Sequence, residues 1–83
     1  MEYWVYILRC SDDTLYTGIT NDLEHRVNVH NSGKGAKYTR SRHPVMVVYK
    51  ELCADKSAAL QREIMIKNMT RQDKLGLVSQ HKD

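Results

Sequence analysis

The sequence contains no phenylalanine and only one proline, four glycines and two cysteines in 83 residues. Trp4 and five tyrosines therefore supply all of its aromatic side chains. No apolar run approaches the ~20 residues that a membrane-spanning helix requires, and the N-terminus has no signal-peptide pattern. We therefore expect a single domain over residues 1–83 that lies in the cytoplasm and has no membrane partner.

The two cysteines, Cys10 and Cys53, are too few for a disulfide framework. Neither has a second cysteine or a histidine at the spacing of a metal site. We expect both to be reduced thiols without a catalytic role.

Acidic residues are absent between His25 and Lys50, although the whole chain has 10 acidic and 13 basic residues. An acid-free basic tract indicates an anionic partner, most often nucleic acid. The alternative is a solvated surface that happens to be basic. The Lys and Arg residues of this tract are Arg26, Lys34, Lys37, Arg40, Arg42 and Lys50.

Hydrophobic periodicity and turn residues predict a small α/β (α+β) fold in the order β-β-α-β-α-α. The first two strands form an antiparallel hairpin, the third strand joins the same sheet, and helices cover it. Asn21 and Glu24 form a predicted capping box for the first helix. The predicted strands are 3–9, 14–20 and 45–49, and the predicted helices are 22–32, 55–69 and 70–78, with a loop holding one short helical turn over 33–44.

Two tyrosines in the hairpin are the first candidates for a functional site. If the turn centres near Asp12, Tyr6 pairs with Gly18 and Tyr16 lies diagonally beside it. All three positions then project from one face, because strand side chains alternate with period two. Two phenols beside a glycine leave space for a ligand, although cross-strand packing is the alternative explanation.

The predicted helices carry three further candidates. Arg26 and His30 are four residues apart and share a helix face, where an Arg can bind phosphate oxygens and a His can exchange a proton. Glu63 lies in a partly apolar stripe formed by Leu60, Ile64 and Ile66. Such a carboxylate needs compensation, either from Lys67 at i+4 or from a bound cation such as Mg²⁺.

The order of these residues resembles the GIY-YIG nuclease domain: Tyr6, then Tyr-x-Gly at 16–18, then Arg26, then Glu63 on a later helix. The resemblance runs from Tyr3 to about Val78. It is strongest to a small stand-alone bacterial branch, which carries runs similar to 16–23 and 30–39. Two departures stand out: the first motif keeps only its tyrosine, and Ile19 replaces the lysine of a related excision-repair nuclease module.

The resemblance implies a three-stranded antiparallel sheet flanked by helices and metal-assisted cleavage of DNA phosphodiester bonds. Glu63 matches the family's metal-binding glutamate, which implies Mg²⁺ or Mn²⁺ as cofactor, and Arg26 would stabilise charge on the phosphate. Either Tyr6 or His30 would take the proton of the attacking water. The implied catalytic set is Tyr6, Tyr16, Arg26, His30 and Glu63.

The same resemblance implies a DNA path along the basic tract. Lys34, Lys37, Arg40 and Arg42 would follow the backbone, Tyr38 would stack on a base, and Gly18 would leave room for the scissile phosphate. Such contacts favour nonspecific or structure-selective cleavage, as in DNA repair, and RNA stays open as a substrate. A homodimer or a partner protein would serve to cut both strands. A noncatalytic nucleic-acid-binding module and a protein-interaction adaptor are the alternatives.

Overall fold

The protein is described by a computed structural model that covers residues 2–81. The predicted order of strands and helices is confirmed, and a one-turn helix lies in the segment where we expected one short helical turn. No helix within residues 2–81 is long and apolar enough to cross a membrane. The strands are β1 Tyr3–Arg9, β2 Leu15–Thr20 and β3 Met46–Cys53; the helices are α1 Leu23–Asn31, α2 Lys37–Arg40, α3 Lys56–Lys67 and α4 Arg71–Gln80.

The three strands form one antiparallel sheet in the order β2-β1-β3. The hairpin turn is closed by Cys10 N–H, which donates to Thr14 O at 2.9 Å, and Asp13 adopts a left-handed φ of 67°. The Thr14 hydroxyl donates to Asp12 Oδ1 at 2.6 Å. These contacts set the register in which Tyr6 pairs with Gly18, so that prediction is confirmed.

Strand β3 is longer than the predicted 45–49, because its second half pairs with β1 despite its polar residues. Lys50 pairs with Tyr6 across the strands, and the ladder continues to Cys53. A register shift places Val47 opposite Leu8 and Tyr49 opposite Ile7, which leaves one extra residue between them. A bulge of this kind bends the strand and increases its twist.

The central strand is covered on both faces, as its sequence predicts. Val5 and Ile7 pack with Ala59 and Ile66 of α3, whereas Tyr6 and Leu8 lie in a second cluster that Leu23 and Val27 of α1 contact. Burial of each such side chain contributes about 1.5–3 kcal/mol. The sheet therefore separates α3 from α1, and Tyr6 faces the α1 side.

Side-chain caps fix where the helices begin. The predicted capping box at Asn21 and Glu24 is wrong: α1 begins one residue later, and Asp22 Oδ1 accepts from His25 N–H at 3.2 Å. Asp22 stands three residues before His25, which is the spacing that an N-cap carboxylate requires. The later helices also have side-chain caps, Asp55 for α3 and Thr70 for α4.

Both cysteines are free thiols, as expected. Desolvation by burial raises the pKa of the Cys10 thiol above its ordinary value, and it is also the largest cause of the raised pKa of Cys53. A raised pKa keeps a thiol protonated and a poor nucleophile at neutral pH.

Candidate active site

Tyr6 lies at the centre of the candidate site and extends across the neighbouring strand. A Cβ atom at Gly18 would be 2.6 Å from Tyr6 Oη and 2.8 Å from Tyr6 Cζ. We expected the glycine to leave open space, but the Tyr6 hydroxyl fills that space. Gly18 is therefore required so that the Tyr6 ring can pack closely against β2.

His30 is the immediate partner of Tyr6. It lies near the end of α1 and is fully buried, with its Nε2 atom 3.2 Å from Tyr6 Oη and its Nδ1 atom 2.7 Å from Thr39 Oγ1. Burial, and then the positive charge of Arg26, lower the pKa of His30 below its ordinary value. At neutral pH the imidazole is therefore neutral, with one donor nitrogen and one acceptor nitrogen.

The pKa of Tyr6 is changed by burial and by the charged or titratable groups near it. Desolvation is the largest cause and raises the pKa to about 12; the nearby Arg26 guanidinium opposes it, while Tyr16 and Glu63 add to it. Tyr6 is thus a phenol at neutral pH in the absence of ligands. The structure places His30 and Tyr16 in contact with Tyr6, and the charges of Arg26 and Glu63 lie near enough to change its pKa.

Tyr16 connects this buried pair to the basic tract. Its ring centroid lies 5.3 Å from that of His30 and 5.8 Å from that of Tyr38, on which it stacks. The Arg42 guanidinium lies 4.1 Å from the Tyr38 ring centroid, and its Nε donates to Asp12 Oδ2 at 2.9 Å. Two of the residues that we expected to contact DNA, Tyr38 and Arg42, are therefore engaged within the protein.

Three other basic side chains of the tract, Lys34, Lys37 and Arg40, face solvent. Lys34 and Lys37 are exposed. Arg40 is also exposed, although its Nε donates to Gly35 O at 3.3 Å. These three exposed cations belong to the same segment of the chain as Tyr38.

Glu63 is 15% exposed and pairs with Lys67 at 3.2 Å, which is the first of the two forms of compensation that we expected. The predicted apolar stripe around it is wrong, because Ile66 is buried whereas Leu60 and Ile64 are exposed. Ile64 follows Glu63 by one residue and hence by about 100° around the helix, which turns it away from the sheet. Glu63 therefore lies at the margin of the buried face of α3.

Glu63 offers one carboxylate for a metal ion. Within residues 2–81, no group of three or more His, Cys, Asp or Glu side chains is placed to hold a metal. A site with a single carboxylate does not suit zinc, which takes three or four protein ligands. It does fit Mg²⁺, which keeps several waters and combines one or two carboxylates with phosphate oxygens.

A family model for the GIY-YIG catalytic domain matches residues 2–75. The chain belongs to the GIY-YIG family. The family is of nuclease type. Tyr6 and Tyr16, the two tyrosines that we matched to its motifs, have ring centroids 6.5 Å apart in this structure.

Curated relatives of this GIY-YIG protein are UPF0213 proteins, a small single-domain group whose names state no activity. One from Streptococcus agalactiae is 51% identical over 96% of this chain and 91% of its own length. One from Clostridium perfringens is 55% identical over 92% of this chain and 82% of its own length.

Two solution NMR structures have the same fold. The UPF0213 protein from Bacillus halodurans is 44% identical, with a TM-score of 0.62 over 95% of this chain and 84% of its own. A protein from E. faecalis is 34% identical, with a TM-score of 0.64 over all of this chain and 92% of its own. The predicted three-stranded antiparallel fold is therefore confirmed.

Two residues that contact His30, Thr39 and Gly35, are not among the candidates predicted from the sequence. Thr39 stands in the run 30–39 that carried part of the GIY-YIG resemblance, but no role was assigned to it. Gly35 packs so closely that a Cβ atom there would lie 2.9 Å from the Cα and Cγ atoms of His30. The signal available in the sequence was a glycine and a threonine within a short basic segment, which does not point to a buried histidine.

Proposed function

We propose that this GIY-YIG protein is a metal-dependent endonuclease that hydrolyses DNA phosphodiester bonds. The observation that carries the proposal is the 3.2 Å contact between the Tyr6 phenol and the neutral His30 imidazole, with the positive charge of Arg26 close enough to lower the pKa of both. Cross-strand packing alone requires neither a cation nor a carboxylate beside a buried phenol. Phosphodiester hydrolysis uses all of these groups.

Arg26 and Glu63 would act on the phosphate. Both are partly exposed, whereas Tyr6 and His30 are buried. Arg26 would donate to the phosphate oxygens and stabilise the negative charge that develops in the transition state. Glu63 would hold Mg²⁺ or Mn²⁺, and an ion bound there would supply Lewis-acid stabilisation to the phosphate and the leaving 3′ oxygen.

The proton of the attacking water would pass through Tyr6 to His30. His30 is fully buried, so it accepts protons only through a neighbour, and Tyr6 Oη is that neighbour. Tyr6 would take the proton of the water as it gives its own to His30 Nε2. Tyr6 is itself only 1% exposed, so this step requires a small shift of the partly exposed side chains beside it, Tyr16 and Arg26.

The substrate would lie along the exposed cations Lys34, Lys37 and Arg40. Contacts to the phosphate backbone give affinity that weakens steeply with salt but carry little sequence information. We therefore propose nonspecific or structure-selective cleavage in the cytoplasm, in the setting of DNA repair. A second copy or a partner protein would allow both strands to be cut.

The test is cleavage of supercoiled plasmid and of branched DNA with Mg²⁺ or Mn²⁺. We expect nicking that stops in excess chelator and in Glu63→Gln, while Glu24→Gln, which removes an exposed carboxylate from α1, stays active. Cleavage that survives chelator, or that Glu63→Gln leaves unchanged, would refute the metal assignment.

The second candidate function is a noncatalytic nucleic-acid-binding module. Two observations favour it: Tyr6 is nearly inaccessible, and Ile19 packs against the Val5 and Ile7 cluster, where it supplies no cation for a phosphate. This candidate predicts a mobility shift with DNA that neither divalent ion converts into cleavage.

A further inference from the structure

Thr39 is a fully buried polar residue on the one-turn helix α2. Its hydroxyl donates to the carbonyl oxygen of Ala36 at 3.0 Å and lies 2.7 Å from His30 Nδ1. A hydroxyl has one proton to donate, and the Ala36 carbonyl oxygen can only accept. Both contacts are therefore hydrogen bonds at the same time only if the Thr39 proton goes to Ala36 O and His30 Nδ1–H donates to Thr39 Oγ1.

The protonation of Nδ1 determines the state of the other ring nitrogen. A neutral imidazole has one N–H, so Nε2 holds a lone pair, and that lone pair faces Tyr6 Oη at 3.2 Å. The hydrogen bonds then run in one direction: Tyr6 donates to His30, His30 donates to Thr39, and Thr39 donates to Ala36. No buried side-chain nitrogen or oxygen in the part of the chain described lacks a partner.

The orientation of the imidazole is also fixed by packing. A Cβ atom at Gly35 would overlap His30 Nδ1, so the glycine backbone lies directly against the ring. Thr39 and Gly35 both belong to the segment that follows α1, and they contact the same side of the imidazole. Rotation of the ring would break the contact to Thr39 and meet the Gly35 backbone.

We propose that Thr39 is a positioning residue that holds His30 in the Nδ1–H tautomer, with the Nε2 lone pair directed at the Tyr6 hydroxyl. The catalytic consequence rests on the proposed function: only this tautomer can accept the Tyr6 proton. With Nε2 protonated instead, Nε2–H would donate to Tyr6 Oη, and the proton path from water through Tyr6 would be closed. The tautomer itself is a property of the free protein and is measured without DNA or metal.

The test is long-range ¹H–¹⁵N NMR of the histidine ring nitrogens, with His30 assigned through the loss of its signals in His30→Gln. In the wild-type protein we expect a protonated Nδ1 and an unprotonated Nε2 for His30. Thr39→Val has nearly the same shape without a hydroxyl and should shift His30 toward the Nε2–H tautomer. Thr39→Ser returns the hydroxyl and should restore the wild-type pattern.

Two results would overturn the proposal: an Nε2–H tautomer in the wild-type protein, or an unchanged Nδ1–H tautomer in Thr39→Val. If Thr39→Val does not fold, the wild-type spectrum still decides the first of these. If Thr39 served only packing, Thr39→Val would change the stability of the protein without changing which ring nitrogen of His30 is protonated.

Cleavage kinetics separate this proposal from the proposed function. We expect kcat in Thr39→Val to fall by about 100-fold, in the range of general acid–base catalysis, with KM for DNA unchanged and with recovery in Thr39→Ser. If the tautomer behaves as expected but the wild-type protein cleaves no DNA, the proposed function fails and the positioning role stands. If cleavage is metal-dependent but the tautomer does not respond to Thr39, the positioning role fails and the proposed function stands.

Discussion

Alanine at position 18 measures how closely Tyr6 lies against β2. The added methyl group would be 2.6 Å from Tyr6 Oη, and relief to a normal contact of about 3.5 Å requires the ring edge to move by about 1 Å. That movement would stretch the 3.2 Å contact to His30 Nε2 beyond hydrogen-bonding distance. Gly18→Ala therefore tests packing and the proton path together.

The expected cost follows from two opposing terms. Overpacking a close-packed site costs about 1–3 kcal/mol, whereas replacing glycine in a strand restores about 0.5–1 kcal/mol of conformational entropy. We expect Gly18→Ala to lower the free energy of unfolding by up to about 2.5 kcal/mol. The assay is urea unfolding monitored by the fluorescence of Trp4, the single tryptophan.

Gly76→Ala is the matched control. A Cβ atom at Gly76 meets nothing within 4 Å, so the same substitution on α4 should stabilise the protein by up to about 1 kcal/mol. Combining Gly18→Ala with Tyr6→Phe removes the closest contact and should reduce the penalty, giving a coupling energy of about 0.5 kcal/mol or more. Equal stability of Gly18→Ala and wild type, with no coupling to Tyr6, would refute the packing described.

Two further predictions concern charge. Folding raises the pKa of Tyr6 from 10.0 to about 12, so the contribution of the Tyr6 phenol to stability is complete below pH 10 and is lost as pH rises toward 12. Over that pH range, the free energy of unfolding of the wild-type protein should fall by about 2–3 kcal/mol more than that of Tyr6→Phe. Equal losses in the two proteins would contradict a buried phenol. Replacing Lys34 and Lys37 with Gln should reduce the slope of log K against log salt for DNA binding by about 2. Arg42→Gln should instead lower stability with little change in slope, because Arg42 pairs with Asp12 at 2.9 Å; a large change in slope for Arg42→Gln would show that this pair opens on DNA.

Much of the fold follows from local sequence signals. The turn at Ser11-Asp12-Asp13 fixes the register that places Tyr6 opposite Gly18, and alternation along β1 gives the two buried faces. The site residues on one strand or helix could therefore be grouped from spacing alone. The spacing of Glu63 and Lys67 likewise gave their salt bridge as one of two alternatives.

The rest depends on contacts that the sequence does not encode locally. The contact between Thr39 and His30 and the pair between Arg42 and Asp12 each join separate parts of the chain, so no periodicity within one helix or strand predicts them. The prediction of an apolar stripe around Glu63 was wrong because Ile64 is hydrophobic yet faces solvent. Hydrophobic residues are common on protein surfaces, so hydrophobicity alone does not predict burial. The length of β3 was underestimated because pairing with β1 outweighs the polar character of Lys50.

The most direct test of the central claim is single-turnover cleavage of labelled branched DNA with Mg²⁺ by Tyr6→Phe and Tyr3→Phe. Tyr6 faces His30, whereas Tyr3 lies on the opposite face of β1, against the cluster that α3 covers. We predict that Tyr6→Phe binds DNA normally but cleaves it at least about 100-fold more slowly, while Tyr3→Phe cleaves at the wild-type rate. Equal rates for Tyr6→Phe and wild type would contradict the assignment of the Tyr6–His30 pair to catalysis.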